Sequence, residues 1–306
     1  MAESVHEVAE KIRRLEVQGA RNVAIAAVKA LEILAKETKA KKRADFLREL
    51  YSAKELLFAS RETEPLMRNA VRWVLNQVED SDERGVSELA RVVCVGSQKI
   101  QKSFEEAKER IAEIGAKRIC DGATVLTHCH SSTVTYMLSK AWSSGKNFRV
   151  ICTETRPAFQ GRLTAKEMLS LGVKTTFIVD SAARSFMHEV DVVVVGADAL
   201  TSEGNVVNKV GTGTIALLAR EARKPFYVVS ELLKFDPATL YGEYEKIEER
   251  SRDEVWKEAP AELNVRNLAF DVTPRHLIHG IICEEGVISP HVVAEVVHRV
   301  YPWVFH

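Results

Sequence analysis

The chain has 306 residues, of which 46% are apolar and 28% are charged, and its 43 basic residues equal its 43 acidic residues. This length suffices for one large domain or two ordinary ones, and the apolar share suffices for a large core. A balanced charge argues against general attraction to nucleic acid or to membranes, which needs a basic excess. We therefore expect neither as a partner, while a locally basic pocket for a small anion remains compatible with this composition.

The cysteines and the N-terminal segment indicate the compartment. Five cysteines occur without a C-x-x-C pair, which favours reduced thiols over a disulfide framework. The opening segment MAESVHEVAEKIRR is charged throughout and lacks the apolar stretch of a signal peptide. No apolar run approaches the length of a membrane span. These features predict a cytoplasmic protein.

Residues 1–116 show the apolar spacing of amphipathic helices and almost no strand signal. Apolar stripes recur at helical spacing, for example around Val8, Leu50 and Val74. A long helical segment is predicted from about residue 82 to residue 114, with Gly115 as its C-cap. The pattern therefore predicts an N-terminal all-helical domain over residues 1–116.

From Lys117 the pattern changes to short apolar runs separated by helical stretches. Six strands are predicted, at 123–127, 148–153, 175–179, 190–196, 225–229 and 268–272. The run 192–195 is apolar without alternation, as in a strand covered on both faces. Thr164 and Glu167 have the spacing of a capping box at a helix start. This alternation predicts a Rossmann-like α/β domain over residues 117–306, with a parallel sheet flanked by helices.

Ligands bind at the carboxyl ends of the strands in such sheets, so chemistry is expected there. Cys129 follows the first strand and precedes a Ser/Thr-rich helix start, whose N–H groups can stabilise a thiolate. Asp198 follows the fourth strand, where partial desolvation favours a protonated carboxyl group that can donate a proton. An inert buried cysteine and a helix-capping aspartate are the structural alternatives. Their pairing on two strand ends of one sheet favours the catalytic interpretation.

Several residues suit phosphate binding. Lys209 precedes a Gly/Thr-rich helix start at 211–214 that could cradle a phosphate, although plain capping by threonine is the alternative. The loop 154–162 carries two arginines and Gln160, and Lys234 follows the fifth strand. The series His128-Cys129-His130 leaves a strand with alternating directions, so its side chains are not expected to converge on a metal. We expect neither a metal nor another cofactor.

Several longer strings then identify a family. The strings LTHCHSS, ETRPAFQGRLTAKEM, VDVVVVGADAL, GNVVNKVGTGTIALLA and KPFYVVSELLKFD resemble, in the same order, one known family. That family contains the alpha, beta and delta regulatory subunits of translation initiation factor 2B, methylthioribose-1-phosphate isomerase and ribose-1,5-bisphosphate isomerase. The resemblance is dense over residues 117–290 and extends weakly into the helical half.

The resemblance implies functional residues. It implies that Cys129 and Asp198 form the catalytic pair of an isomerase. The residues implied to hold the substrate are Gln18, Gly19, Ala20, Arg21, Arg61, Ser131, Ser132, Gln160, Asn208, Lys209 and Lys234. Because family members associate through this domain, the resemblance also implies a homo-oligomer, a hexamer built as a trimer of dimers.

The branch within the family is indicated by the short motifs THCHSS, GADAL and QGARNVA. They look like the branch that converts alpha-D-ribose 1,5-bisphosphate to D-ribulose 1,5-bisphosphate through an enediol phosphate, in the degradation of AMP. One alternative is an isomerase of methylthioribose 1-phosphate, which an assay with both sugars would distinguish. The other is a non-enzymatic regulatory subunit, against which the Cys129 and Asp198 pair argues because those subunits generally lack the cysteine.

Overall fold

The computed structural model describes residues 3–61 and 63–305. The chain forms two compact units, one of Met1–Glu106 with His298–His306 and the other of Ala107–Val297. The units divide after Glu106, inside a long helix that ends at Ala116. This division lies ten residues before the domain boundary predicted at residue 116. Within the described residues, no helix combines the length and the apolar character that crossing a membrane requires.

The first unit is helical, as the apolar spacing predicted. Its helices are α1 (Val5–Arg13), α2 (Ala20–Glu37), α3 (Arg43–Phe58), α4 (Pro65–Glu79) and the first part of α5 (Val86–Ala116). Each of the first four helices buries one apolar face, with Ile12, Leu50 and Val74 fully excluded from solvent. The C-terminal turn Pro302–Phe305 packs against α4 and buries Val304, so the apolar chain end belongs to this unit's core.

Gly115 does not cap α5, contrary to the prediction, because the helix continues through it to Ala116. A Cβ atom at Gly115 would lie 2.2 Å from the sulfur of Met137, on the neighbouring helix α6 (Ser132–Ser143). This glycine is therefore explained by close helix packing, which sequence spacing alone does not distinguish from a helix end.

The second unit contains a seven-stranded sheet and a small three-stranded sheet. Its strands are β1 (Thr124–Thr127), β2 (Arg149–Thr153), β3 (Lys174–Ile178), β4 (Val192–Val195), β5 (Ala199–Leu200), β6 (Val206–Lys209), β7 (Phe226–Val229), β8 (Phe270–Thr273), β9 (Gly280–Cys283) and β10 (Gly286–Ile288). The large sheet has the order β10-β9-β7-β4-β1-β2-β3, and every pairing in it is parallel except β9 with β10. The predicted mostly parallel sheet is confirmed.

One predicted strand lies in the other sheet. Residues 268–272 were expected in the parallel sheet, but β8 pairs antiparallel with β6, and β6 pairs antiparallel with β5. The parallel sheet is completed instead by β9 and the antiparallel β10, which the sequence pattern did not identify. Short apolar runs indicate strands but carry no information about which partner they pair with.

Helices cover the large sheet and position its strand ends. The remaining helices are α7 (Gly161–Ser170), α8 (Ala183–Phe186), α9 (Thr212–Glu221), α10 (Asp253–Trp256) and α11 (Val293–Val300). A core cluster joins the end of α5, α6 and α7 to β1, β2, β4, β7 and β9. Helix α9 contacts β7 and β8, and therefore links the two sheets.

Candidate active site

The predicted catalytic pair follows two neighbouring parallel strands. Cys129 lies two residues beyond the end of β1, and Asp198 lies three residues beyond the end of β4, which pairs directly with β1. The loops that follow these strands touch, since a Cβ atom on Gly196 would lie 2.8 Å from the Cβ and Oγ atoms of Ser131. The same edge of the sheet therefore holds both groups, as the strand pattern predicted.

The backbone of Cys129 has an unusual conformation. Its φ angle is +67°, in the left-handed region that residues with a side chain rarely adopt. Such a conformation costs roughly 1–2 kcal/mol and needs surrounding contacts to maintain it. Here the Cys129 N–H donates to the hydroxyl of Thr155 (2.9 Å), and the Thr164 hydroxyl donates to the Cys129 carbonyl (2.9 Å).

Burial and neighbouring charges act on the Cys129 thiol in opposite directions. Burial raises the pKa of the thiol to about 11, against the attraction of Lys209, which lowers it, while Asp198 raises it further. A thiol with such a pKa is almost entirely neutral near pH 7. The thiolate that the start of α6 was expected to stabilise stays a prediction, which burial opposes and Lys209 supports. Desolvation outweighs the nearby positive charge, although the residue retains some exposed surface.

The two histidines beside Cys129 have separate partners. His128 is buried and donates through Nε2 to the Val210 carbonyl (2.9 Å), because a carbonyl can only accept; its Nδ1 accepts from the Thr153 hydroxyl (2.6 Å). Burial lowers the pKa of His128, so the ring is neutral. His130 turns instead to Thr164 (3.1 Å). The predicted alternation of directions is found, and His128 connects the loop of Cys129 to the loop after β6.

Thr164 does not begin a helix, contrary to the predicted capping box. Helix α7 starts at Gly161, so Thr164 lies inside its first turn. Since its single hydroxyl hydrogen is donated to the Cys129 carbonyl, it accepts from His130 Nδ1. The spacing of Thr164 and Glu167 is also that of a capping box. Only the hydrogen bond from Thr164 to the Cys129 carbonyl shows that Thr164 holds the Cys129 loop and does not cap a helix.

Lys209 and Asn208 end β6 beside the start of α9. Lys209 is buried, with its ammonium group 4.9 Å from the centre of the Phe270 ring. The Asn208 side-chain amide donates to the hydroxyl of Thr212 (3.0 Å), which itself donates to the Lys209 carbonyl (2.6 Å). These bonds fix the turn that carries Lys209 within electrostatic reach of Cys129.

The predicted phosphate cradle at 211–214 is occupied by a side chain of the protein. The carboxylate of Asp271 accepts from the backbone N–H of Gly211 (2.8 Å) and from that of Gly213 (3.1 Å). These two donors are therefore not free to bind a phosphate, and the start of α9 is capped by an acid from β8. Asp271 is 60 residues away in the chain, so the local sequence gave no sign of it.

Lys234 is buried against the loop of Asp198. Its ammonium group donates to the Ala197 carbonyl (2.7 Å) and lies 3.3 Å from the carboxylate of Glu231. The two opposite charges largely balance. Lys234 therefore supports the peptide that precedes Asp198, and a phosphate reaching it would share it with Glu231.

The other predicted binding residues of this unit lie on the loops after β1 and β2. Ser131 caps α6 by accepting from the Val134 N–H (3.4 Å), and Ser132, the first residue of α6, is exposed. Gln160 directly precedes α7, and its side-chain oxygen is buried without a hydrogen-bond partner in the part of the chain that the structure describes.

Five predicted binding residues belong to the helical unit. Gly19 is the N-cap of α2 with a φ angle of +83°, and it provides no capping side chain for the N–H groups of Ala20 and Arg21. Gln18 is exposed, and its amide donates to the Leu15 carbonyl (2.9 Å).

Both predicted substrate-binding arginines of that unit have acidic neighbours. A terminal nitrogen of the largely buried Arg21 lies 3.0 Å from Glu105, and one of Arg61 lies 3.4 Å from the fully buried Glu64. These ion pairs hold the guanidinium groups in place and offset part of their charge.

Comparisons with known proteins assign the chain to a family. Residues 16–290 match the model of the Initiation factor 2 subunit family, and the chain belongs to that family. Several curated relatives bear the name ribose 1,5-bisphosphate isomerase, and two of them illustrate the similarity. The one from Archaeoglobus fulgidus is 45% identical over 94% of this chain and 90% of its own length, and the one from Thermococcus kodakarensis is 39% identical over 99% and 96%.

Two solved structures from Pyrococcus horikoshii share the fold. One, described as translation initiation factor eIF-2B, has a TM-score of 0.82 at 30% identity and covers 95% of this chain and 98% of its own. The other, described as 5-methylthioribose 1-phosphate isomerase, has a TM-score of 0.79 at 30% identity and covers 98% and 88%. The predicted resemblance and the predicted fold class are thus confirmed.

Proposed function

We propose that this chain is an aldose–ketose isomerase that converts ribose 1,5-bisphosphate into ribulose 1,5-bisphosphate. The main support is one arrangement: the Cys129 thiol and the Asp198 carboxyl group follow adjacent parallel strands, with the Lys209 ammonium within electrostatic reach. A thiol and a carboxyl group can exchange protons with carbon and oxygen, and a buried cation suits a phosphate. The names of the relatives support the same substrate.

The chemistry must open a ring whose anomeric oxygen carries a phosphate. Such a sugar cannot open to a free aldehyde, so opening has to accompany loss of the proton at C2. The electron pair of the C2–H bond forms the C1–C2 double bond, and the bond from C1 to the ring oxygen breaks. One group must take the C2 proton while another protonates the ring oxygen, and the product is an enediol phosphate.

Cys129 is assigned the role of the base, as its thiolate, and Asp198 the role of the acid, as its carboxylic acid. Burial raises the pKa of the Cys129 thiol to about 11, and the nearby Lys209 ammonium opposes that rise and so favours the thiolate. The thiolate takes the C2 proton, and Asp198 protonates the ring oxygen. Asp198 then accepts the proton of the C2 hydroxyl while Cys129 protonates C1, which yields the ketone and restores the pair.

The phosphates require cations and backbone donors. We propose Lys209 for one phosphate, because it is buried at the same edge of the sheet as Cys129. Ser131, Asn208 and Lys234 are then expected to fix the loops that carry these groups.

The test is an assay of the purified protein with ribose 1,5-bisphosphate, with the ketose product followed by NMR. We expect ribulose 1,5-bisphosphate at a rate at least about 100-fold above that with methylthioribose 1-phosphate, because a second phosphate adds charge-assisted contacts worth several kcal/mol. Equal or faster turnover of methylthioribose 1-phosphate would assign the chain to that branch. No turnover of either sugar would favour a binding subunit.

The isomerase of methylthioribose 1-phosphate is the second candidate, and the solved structure with a TM-score of 0.79 favours it. Its substrate carries a thioether where ribose 1,5-bisphosphate carries a phosphate, so its pocket should be apolar at that end.

A homo-oligomer, with a hexamer as the expected form, remains a prediction that light scattering on the purified protein can test.

A further inference from the structure

The peptide of Cys129 is held at both ends by threonine hydroxyls. Thr155, in the loop after β2, accepts from the Cys129 N–H at 2.9 Å, and Thr164, in the first turn of α7, donates to the Cys129 carbonyl at 2.9 Å. Both threonines are completely buried. Neither was identified from the sequence as part of the site, and neither is expected to touch the substrate.

Thr155 is itself fixed by a carboxylate. The backbone N–H groups of Thr155 and Arg156 donate to the two oxygens of Asp180, each at 2.8 Å. Thr155 also has a left-handed backbone, with a φ angle of +64°. Two consecutive loops of the sheet edge therefore contain strained residues that hydrogen-bond to each other, and Asp180 holds the second of them in place.

We propose that Thr155 and Thr164 are positioning residues that hold Cys129 in its left-handed conformation and so direct its thiol toward the reacting carbon. This inference rests on the proposed function for its kinetic consequence, but the held conformation of Cys129 does not depend on the identity of the substrate. The φ angle of +67° is unfavourable for cysteine, so the conformation persists because these two bonds enforce it.

Loss of either bond allows the Cys129 peptide to relax. A relaxed peptide turns the Cβ atom, and with it the sulfur, away from its present direction. Proton transfer from carbon requires close approach and alignment, and a displacement of about 1 Å can cost about 100-fold in rate. Substrate binding through the phosphates would change little, because the phosphate-binding groups belong to other loops.

The experiment compares matched variants. Thr155→Val keeps the shape and removes the acceptor, whereas Thr155→Ser keeps the hydroxyl. The control is Thr124→Val at the opposite end of β1, where the equally buried hydroxyl accepts from Arg149 Nε (2.6 Å). Thr164→Val, which removes the donor to the Cys129 carbonyl, is the second variant if Thr155→Val does not fold.

Two readouts are taken on each variant. In the isomerase assay, Thr155→Val should lower kcat about 100-fold with KM within about twofold of the parent, and Thr155→Ser should restore kcat to within about threefold. The second readout is the rate at which the Cys129 peptide reacts with iodoacetamide, followed by mass spectrometry. This rate should rise in Thr155→Val and stay at the parent value in Thr155→Ser and Thr124→Val, because only the released thiol leaves its buried position.

The outcomes separate this inference from the proposed function. Unchanged kcat and unchanged alkylation in Thr155→Val would overturn the positioning role, as would an equal loss in Thr124→Val or a loss that serine does not restore. If the parent protein does not isomerise ribose 1,5-bisphosphate, the proposed function fails. The positioning role of Thr155 is then tested by the alkylation rates alone. Faster alkylation in Thr155→Val and not in Thr124→Val then supports the inference, and equal rates overturn it.

Discussion

One cysteine, Cys129, follows β1 and another, Cys152, lies within β2, and the two thiols have different surroundings. Burial raises the pKa of Cys129 to about 11 and that of Cys152 to about 12. Cys152 lies within the apolar core of the sheet, where burial alone accounts for its raised pKa. Cys129 is influenced in addition by Lys209 and Asp198, which act in opposite directions.

This difference shows that a raised thiol pKa does not identify a catalytic cysteine. What distinguishes Cys129 is that a carboxyl group and an ammonium group, those of Asp198 and Lys209, lie within electrostatic reach of its thiol. The backbone is a second difference: Cys129 has a strained left-handed conformation, whereas Cys152 has the ordinary conformation of a paired β-strand. The following predictions test whether the two cysteines differ in function as their surroundings suggest.

The largest expected effect comes from removing each thiol in turn. Cys129→Ala should lower kcat about 10²–10⁴-fold, the usual contribution of one acid–base group, while substrate binding measured by calorimetry persists. Cys152→Ala, the matched control, should keep kcat and lose about 1 kcal/mol of unfolding free energy, because it leaves a small cavity in the core. The measurements are steady-state kinetics and urea denaturation of both variants.

Reversed results would remove the distinction between the two cysteines. If Cys129→Ala kept a near-normal kcat, the thiol would not carry the proton. If Cys152→Ala lost activity as severely without unfolding, the chemistry would reside elsewhere in the sheet.

A smaller effect concerns stability at mildly acidic pH. Burial lowers the pKa of His128 in the folded protein, against its bond to Val210 and the charge of Asp180. In the unfolded chain the histidine pKa is near 6.5, so below that pH the unfolded chain binds a proton that the folded chain does not bind. The free energy of unfolding is therefore highest above pH 6.5 and decreases as the pH falls. The loss should reach at most about 1.4 kcal/mol per pH unit for this group.

His128→Gln separates this residue from the other histidines. A glutamine amide can still donate to the Val210 carbonyl but does not titrate. Chemical denaturation between pH 7 and pH 5.5 should therefore show a shallower loss in His128→Gln than in the parent. The burial of His130 also lowers its pKa, so part of the slope should remain. Identical slopes in the two proteins would mean that His128 is not held neutral.

The sequence predicted the architecture well because strand–helix alternation and helical spacing are local patterns. It also placed Cys129 and Asp198 on one edge of the sheet, since both follow apolar runs of parallel strands. It did not predict the pairing of β8 or the capping of α9 by Asp271, because both depend on residues that are distant in the chain.

The charge state of the site was also beyond the reach of the sequence. The Ser/Thr-rich helix start suggested a thiolate at Cys129, but the pKa of a thiol depends on how completely the fold excludes water from it. Thr164 matched a capping-box spacing and instead holds the Cys129 carbonyl. The capping-box prediction was wrong because a tertiary contact outweighs the local preference.

The account depends most on the electrostatic coupling between Cys129 and Asp198 at one edge of the sheet. The direct measurement is the pH dependence of iodoacetamide labelling at the Cys129 peptide, in the parent and in Asp198→Asn. Because the negative charge of Asp198 raises the thiol pKa, the midpoint for Cys129 should lie near 11 in the parent and lower in the variant. The same midpoint for Cys129 in both proteins would contradict the account.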